Sequence, residues 1–275
     1  MMPVDNDGTS VTDTRTRRAI AWTGARGKLH LWSEALYIAS FYALYTLIRN
    51  TQGSARNSHT QALTNALRIL RWEKLTGFAR EQRIQRAFVR NHGLMQVLNT
   101  YYGVAHFVVT LVALAWCFKI RPDRYRSVRN ALAVMTGAAL IGFAFFPLMP
   151  PRLLPTSYGF VDTLKVFGGP WSFDSGAMSK VSNQYAAMPS LHIGWASWCA
   201  YTLWHWSERR WVRLFLVVYP ITTLFTIVVT ANHYVFDAVG GFCVFTVGFV
   251  LGRMLDRAAL VDRVRLRTPP THPTA

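Results

Sequence analysis

Acidic residues are scarce in this chain. It carries 13 Asp and Glu against 30 Lys and Arg, and charged residues make up only 16% of a sequence that is 51% hydrophobic. So low a share of charge excludes an ordinary soluble domain, whose surface needs far more of it. Cysteine is nearly missing as well. Cys117, Cys199 and Cys243 each sit inside an apolar run, far apart and without metal-ligand spacing, which excludes a disulfide framework and a thiolate metal site. No apolar core interrupts the polar, Arg-rich first thirty residues, so no cleavable signal peptide is expected and the first apolar run is left to do the targeting. Despite the net charge of +17, no basic stripe is interleaved with exposed stacking aromatics, which argues against nucleic acid as a partner.

What is present is a series of apolar runs, each of the roughly 18 to 25 residues that cross a bilayer as a helix. Six are read: about Leu31–Ile48, Leu94–Ile120, Leu132–Leu148, Pro189–Trp206, Val212–Thr230 and Val235–Leu255. The expectation is an all-α integral membrane bundle of six transmembrane helices, one domain over residues 29–256. A disordered basic tail, 1–28, precedes it and a basic Pro-containing tail, 257–275, follows. Arg and Lys cluster before the first span, over Lys119–Arg129, at Arg209, Arg210 and Arg213, and from Arg253 onward. Such clusters mark cytoplasmic ends. They place both termini inside the cell, and the junctions Pro147–Pro155, Ala186–Pro189 and Thr230–Asp237 outside. The excess of Arg over Lys hints at a GC-rich bacterial genome and nothing more; a multi-pass protein of a bacterial plasma membrane is expected.

Residues 60–90 disagree with that count, being rich in Arg and Lys against two Glu. Leu63, Leu67, Leu70, Phe78, Ile84 and Phe88 are spaced like one helix face, so an amphipathic helix lying at the outer membrane boundary is expected between the first two spans.

The chemistry is concentrated at the outer junctions. In Ala186-Ala-Met-Pro-Ser-Leu-His192, Pro189 suits a first helical position. Ser190 and His192 then fall in the opening turn, where unpaired N–H groups and the helix dipole favour an anion such as phosphate. In Thr230-Ala-Asn-His-Tyr-Val-Phe-Asp237, Asn232 is a plausible N-cap. His233 and Asp237 stand one turn apart, so the carboxylate is placed to fix the imidazole tautomer and turn the other nitrogen outward as a nucleophile. Buried pairing alone is the alternative for such a spacing. Pro147-Leu-Met-Pro-Pro-Arg-Leu-Leu-Pro155 stops the third span and holds Arg152, whose guanidinium matches phosphate oxygens, on a stiff turn. Asn99, Tyr102 and His106 share one face of the second span, facing either a head-group pocket or neighbouring helices. A zinc site built from His192, His233 and Asp237 is the weaker alternative, because an Asp that orients its His is already engaged and Arg152 supplies fixed positive charge. No metal or other cofactor is expected.

Pro189-Ser-Leu-His192, followed about forty residues later by His233-x-x-x-Asp237, resembles the type 2 phosphatidic acid phosphatase superfamily over roughly residues 60 to 255. Pro150-Pro-Arg152 and the Asn99/Tyr102/His106 face are similar to its inositolphosphotransferase branch, which includes fungal inositol phosphorylceramide synthase. The resemblance implies metal-independent, two-step transfer through a phosphohistidine. His233 would attack phosphorus, Asp237 orient it, and His192 protonate the leaving oxygen and then activate the acceptor. Arg152, Ser190 and the helix-start amides would hold the phosphate. The donor would be a phospholipid or polyprenyl phosphate in the bilayer, and the acceptor inositol, a sugar or water. With water the protein would be a plain lipid phosphatase. A reading of another class is a non-catalytic phospholipid-binding or transport protein.

Two departures stand out. Arg121-Pro122 echoes the superfamily's first motif only in part, with Leu114 at the Lys position and on the wrong membrane side. The Ser-Arg pair expected six residues before His233 is Thr226-Ile227, so either phosphate is held by fewer charges or another residue such as Lys165 or Lys180 supplies one.

Overall fold

The computed structural model describes residues 31–51, 59–168, 184–204 and 207–265. The expected N-terminal tail, the end of the C-terminal tail, and Trp171, Phe173 and Lys180 of the long loop lie outside them. Two units are distinguished, 1–41 and 42–275. Of the first, residues 31–41 are described, and they begin helix α1, Leu31–Thr51.

The second unit continues with α2 (His59–Thr76), α3 (Glu81–Phe88), α4 (His92–Ile120) and α5 (Pro122–Phe145). Two 3-10 turns, Pro151–Leu153 and Thr156–Tyr158, lead to the short α6 (Thr163–Phe167). Then come α7 (Leu191–Trp204), α8 (Arg210–Val229) and α9 (Val235–Arg265). Among the described residues there is no strand, only an isolated bridge between Leu148 and Ala186. A helix satisfies its backbone internally, which lipid requires of any segment that crosses it.

Among the described residues four helices are long and apolar enough to cross a membrane: α4, α5, α8 and the Val235–Leu255 part of α9. The chain is accordingly an all-helical membrane protein, and four of the six expected spans meet that standard. Helix α7 has 14 residues, about 21 Å of rise, short of a hydrocarbon core of about 30 Å. Helix α9 runs on to Arg265, so the tail expected from 257 begins as helix.

The amphipathic segment differs from its expectation in two ways. It breaks at Gly77, whose φ of 79° is left-handed, into α2 and α3. Its inward face is also mixed: Leu70 is buried and Leu63, Ile84 and Phe88 pack against the core as expected, but Asn65, Glu73, Glu81 and Gln85 are buried beside them, whereas Leu67 and Phe78 are exposed. The Asn65 amide donates to the Pro147 carbonyl (2.9 Å) and the Met149 N–H to the Ala62 carbonyl (3.2 Å), so α2 is seated on the Pro-rich end of α5.

Helices α4 and α5 form a hairpin turned at Arg121. Alternation of direction then brings the start of α4, the end of α5, the starts of α7 and α9 and the end of α8 to one end of the unit. The basic clusters around Arg121–Arg129, Arg209–Arg213 and Arg253 lie at the other. Helices α5 and α9 approach closely because Gly248 and Gly252 leave room. A Cβ at Gly248 would lie 2.6 Å from the Ala131 carbonyl, and one at Gly252 would lie 2.8 Å from the Ala131 Cα. Small residues four apart are the usual way for membrane helices to gain dispersion contact.

Candidate active site

The end of α8 and the start of α9 are joined by Thr230-Ala-Asn-His-Tyr234, and the local bonds explain its shape. The Ala231 N–H bonds the Val228 carbonyl (3.0 Å) and the Asn232 N–H the Ile227 carbonyl (3.0 Å), the pattern of a helix C-terminus closed by a left-handed residue. That residue is Ala231, at φ 53°, where glycine is usual. Asn232 therefore belongs to the cap of α8 rather than serving as the N-cap of α9, and its amide donates to Thr230 Oγ1 (2.8 Å).

Helix α9 then begins at Val235, which puts Asp237 in its first turn. Asp237 Oδ2 accepts from Tyr234 N–H (2.9 Å) and meets His233 Nδ1 at 3.2 Å. This contact assigns the proton to Nδ1 and leaves the lone pair on Nε2. Both side chains are buried, and Nε2 makes no hydrogen bond of good geometry. Burial pushes the His233 pKa down to about 4, opposed by the Ala187 backbone and reinforced by the positive charge of Arg152. The imidazole is thus neutral at ordinary pH, as a nucleophile must be.

His192 faces it, with ring centroids 5.4 Å apart. It lies in the first turn of α7, which begins at Leu191, so Pro189 precedes the helix instead of opening it. The Ser190 N–H is not available to an anion, because it donates to the Asp237 carbonyl (2.9 Å). Ser190 Oγ, in contrast, is buried without a partner. Tyr102 stacks on the His192 ring at 4.3 Å, and His106 meets the same ring edge-on at 4.3 Å. Asn99, on the same face of α4, points elsewhere: its amide donates to the Thr163 and Gly168 carbonyls (2.9 and 2.8 Å) and its oxygen accepts from Thr163 Oγ1 (3.0 Å). All of its side-chain groups are engaged in holding α6.

Arg152 sits on the 3-10 turn that the prolines enforce. Its backbone N–H donates to the Ala231 carbonyl (2.8 Å), tying the turn to the His233 loop. Its Nη1 pairs with Asp162 Oδ2 (3.0 Å), while Nε is buried without a partner. Asp162 is a residue that sequence reading missed, since it lies in a loop without a motif. Its second oxygen accepts from the Lys165 N–H and caps α6. Lys165 itself is exposed. Thr226-Ile227 contributes no charge, for Thr226 Oγ1 bonds back to the Thr222 carbonyl (2.8 Å) and Ile227 is core. Arg121 lies nineteen residues beyond Tyr102 along α4, about 28 Å away.

Three more missed residues support this end of the unit. Gln85 on α3 clamps Val161 through both backbone groups, donating to its carbonyl (2.8 Å) and accepting from its N–H (2.9 Å). Glu73 and Glu81 reach the start of α9, where Glu73 accepts from Phe236 N–H (2.9 Å) and Glu81 from Val235 N–H (3.2 Å). A polar residue at a buried position of an amphipathic helix was the available signal. No group of ligating residues that could hold a metal occurs among the described residues.

Residues 67–251 match the family model described as the PAP2 superfamily. No curated protein and no solved structure matches.

Proposed function

The chain belongs to the PAP2 superfamily, and from that premise we propose that it transfers a phosphoryl or phospho-head group from a lipid phosphate through a phosphohistidine to an alcohol acceptor or to water. One observation carries the reading: the buried His233–Asp237 pair leaves Nε2 without a partner while Arg152 Nε and Ser190 Oγ, in the same site, are likewise buried and unpartnered. Buried polar atoms without partners are costly; phosphate oxygens would accept from Arg152 Nε and Ser190 Oγ, and the Nε2 lone pair is then left to face phosphorus.

In the proposed reaction His233 Nε2 attacks phosphorus, the bond to the leaving oxygen breaks, and His192 delivers a proton to that oxygen. Asp237 stabilises the imidazole through Nδ1. In the second half His192 takes the proton of the acceptor hydroxyl, the acceptor oxygen bonds to phosphorus, and the N–P bond breaks. Arg152 and Ser190 hold the non-bridging oxygens as charge develops. No step calls on a metal. Asn99 and Asn232 build the site rather than touch substrate. Tyr102 and His106, packed on His192, form the acceptor wall, which favours an inositol- or sugar-type acceptor over water. The donor is a phospholipid or polyprenyl phosphate.

For topology we propose six spans, with α1 and α7 completing the four long apolar helices. The site end would face the extracytoplasmic side of a bacterial plasma membrane, and the basic ends the cytoplasm.

The test is purified protein in detergent with EDTA and a panel of lipid phosphates. Phosphate release is recorded for wild type and His233→Ala, and the panel is repeated with inositol and sugar acceptors. Turnover by wild type alone supports the reading. A wild type that binds lipid phosphates yet turns over none overturns it in favour of a binding or transport protein.

A further inference from the structure

The N-terminus of α9 carries the nucleophile's partner, and three acidic side chains from three elements converge on it. Asp237 takes the Tyr234 N–H from within, Glu81 of α3 the Val235 N–H, and Glu73 of α2 the Phe236 N–H. All three residues are at most 2% exposed. Glu81 and Glu73 are far from Asp237 in sequence and are brought there by the α2–α3 elbow at Gly77. The orphan donors of a helix start account for one oxygen of each glutamate. They do not account for Glu73 Oε2, which is buried without a donor. Among the described residues neither glutamate forms an ion pair. Two carboxyl groups in one dry place cannot both ionise, and a shared proton is the ordinary resolution.

We propose that Glu73 and Glu81 act as one unit sharing a single proton, which fastens the first turn of α9 and keeps Asp237 within reach of His233. They are positioning residues for the reaction, and loss of their proton loosens the site at alkaline pH. The inference rests on the reading of His233 and Asp237 as the catalytic pair.

Burial, with Glu81 adding to it, raises the Glu73 pKa from 4.5 to about 9. The Phe236 N–H, which Glu73 accepts, opposes this rise in part, and no other group that faces the pair does. Asp237 on α9 adds negative charge. Tyr234, whose hydroxyl donates to the Met149 carbonyl (3.0 Å), is itself pushed upward by burial and by the surrounding acids, with Tyr158 among its neighbours. Arg152 is held by Asp162. Lys74 and Arg80, which flank the glutamates in sequence, are exposed. Above about pH 9 a second charge must therefore appear in this place. The N–H bonds of Val235 and Phe236 then compete with repulsion between the two carboxylates and Asp237.

Glu73→Gln keeps an oxygen for the Phe236 N–H and offers an N–H to Glu81 permanently, imitating the protonated pair. The first measurement is hydrogen exchange of the full-length protein in detergent over the peptide spanning Ala231–Gly240, corrected for the intrinsic pH dependence of exchange. In wild type the protection is expected to fall about tenfold as pH passes from roughly 8 to 10, and in Glu73→Gln it should stay within about twofold. The second is turnover of the best lipid phosphate. The ratio of kcat at alkaline to neutral pH should be at least about fivefold higher in Glu73→Gln than in wild type, with KM moving less than about threefold.

The same protection profile in both proteins overturns the proposal. So does an unchanged kcat profile in a Glu73→Gln protein whose His233→Ala counterpart is inactive, an outcome that leaves the catalytic reading standing. If the exchange profiles separate as expected but wild type turns over no lipid phosphate, the shared-proton cap is supported and the catalytic reading falls.

Discussion

Ser190 donates its backbone N–H to the Asp237 carbonyl across 2.9 Å. This bond joins the start of α7, which carries His192, to the start of α9, which His233 immediately precedes, so the acid–base residue and the nucleophile are registered through backbone rather than through side chains. It also removes one helix-start amide from phosphate binding, leaving Ser190 Oγ as that residue's available group. Backbone attachment is stiff, and transfer between His233 and His192 depends on such stiffness.

Gly241 is what permits the bond. A Cβ there would land on the Ser190 carbonyl and press on Ile193. Gly241→Ala is expected to lower kcat by about a hundredfold, since displacement of a reacting group by about 1 Å has that effect. Thermal unfolding in detergent should show destabilisation of about 1–3 kcal/mol. Wild-type kcat in a folded Gly241→Ala protein would contradict this account.

Asp237→Asn keeps the shape but supplies an N–H where His233 Nδ1 needs an acceptor. The imidazole then loses its oriented tautomer, and kcat is expected to drop by about 10²–10⁴ with KM little changed. Steady-state kinetics on the same lipid substrate decide it.

His233 provides a pH test. Its pKa is lowered from 6.5 to about 4 by burial, so the neutral nucleophile persists well below pH 6.5. The acid limb of kcat/KM arising from His233 is expected near pH 4, in place of the fall near 6.5 that an exposed histidine would give. Stability follows the same sign: the unfolded chain takes up this proton first, so the contribution is present above pH 6.5 and is lost as pH falls towards about 4. A pH–rate profile and a melting series over that window measure both.

Arg152→Lys retains charge but loses the guanidinium fork that spans Asp162 and the phosphate seat. About 1.5–3 kcal/mol of charge-assisted hydrogen bonding should be lost, a fall in kcat/KM of roughly ten- to a hundredfold. Asp162→Asn should produce a smaller loss in the same direction, because it releases the fork without removing it. An Asp162→Asn effect larger than that of Arg152→Lys would assign Asp162 another role.

Gln85→Ala severs both backbone bonds to Val161 and buries that peptide unsatisfied. A destabilisation of about 1–3 kcal/mol is expected. KM should rise, because the Thr156–Asp162 loop that holds Arg152 loses its anchor on α3. Melting and KM in parallel separate the two effects.

Much of this was legible in the chain itself. Apolar runs over α4, α5, α8 and α9 declare helices because lipid leaves the backbone no other partner. Pro147, Pro150, Pro151 and Pro155 declare the end of α5 because proline has no N–H to continue it. His233 and Asp237 meet because the spacing of four brings the histidine, just ahead of α9, back over the carboxylate in that helix's first turn. These are relations among near neighbours, and local geometry determines them.

Tertiary structure alone decided what those neighbours meet. Asn99 shares a face with Tyr102 and His106, yet it is turned to Thr163 and Gly168 while they pack on His192. Asp162 becomes the partner of Arg152, and Glu73 and Glu81 become caps of a helix more than 150 positions away. Periodicity states which residues point the same way, but not what occupies that direction. The buried acids of α2 and α3 looked like the polar side of a surface helix because polarity alone cannot tell water from another helix's unpaired N–H groups.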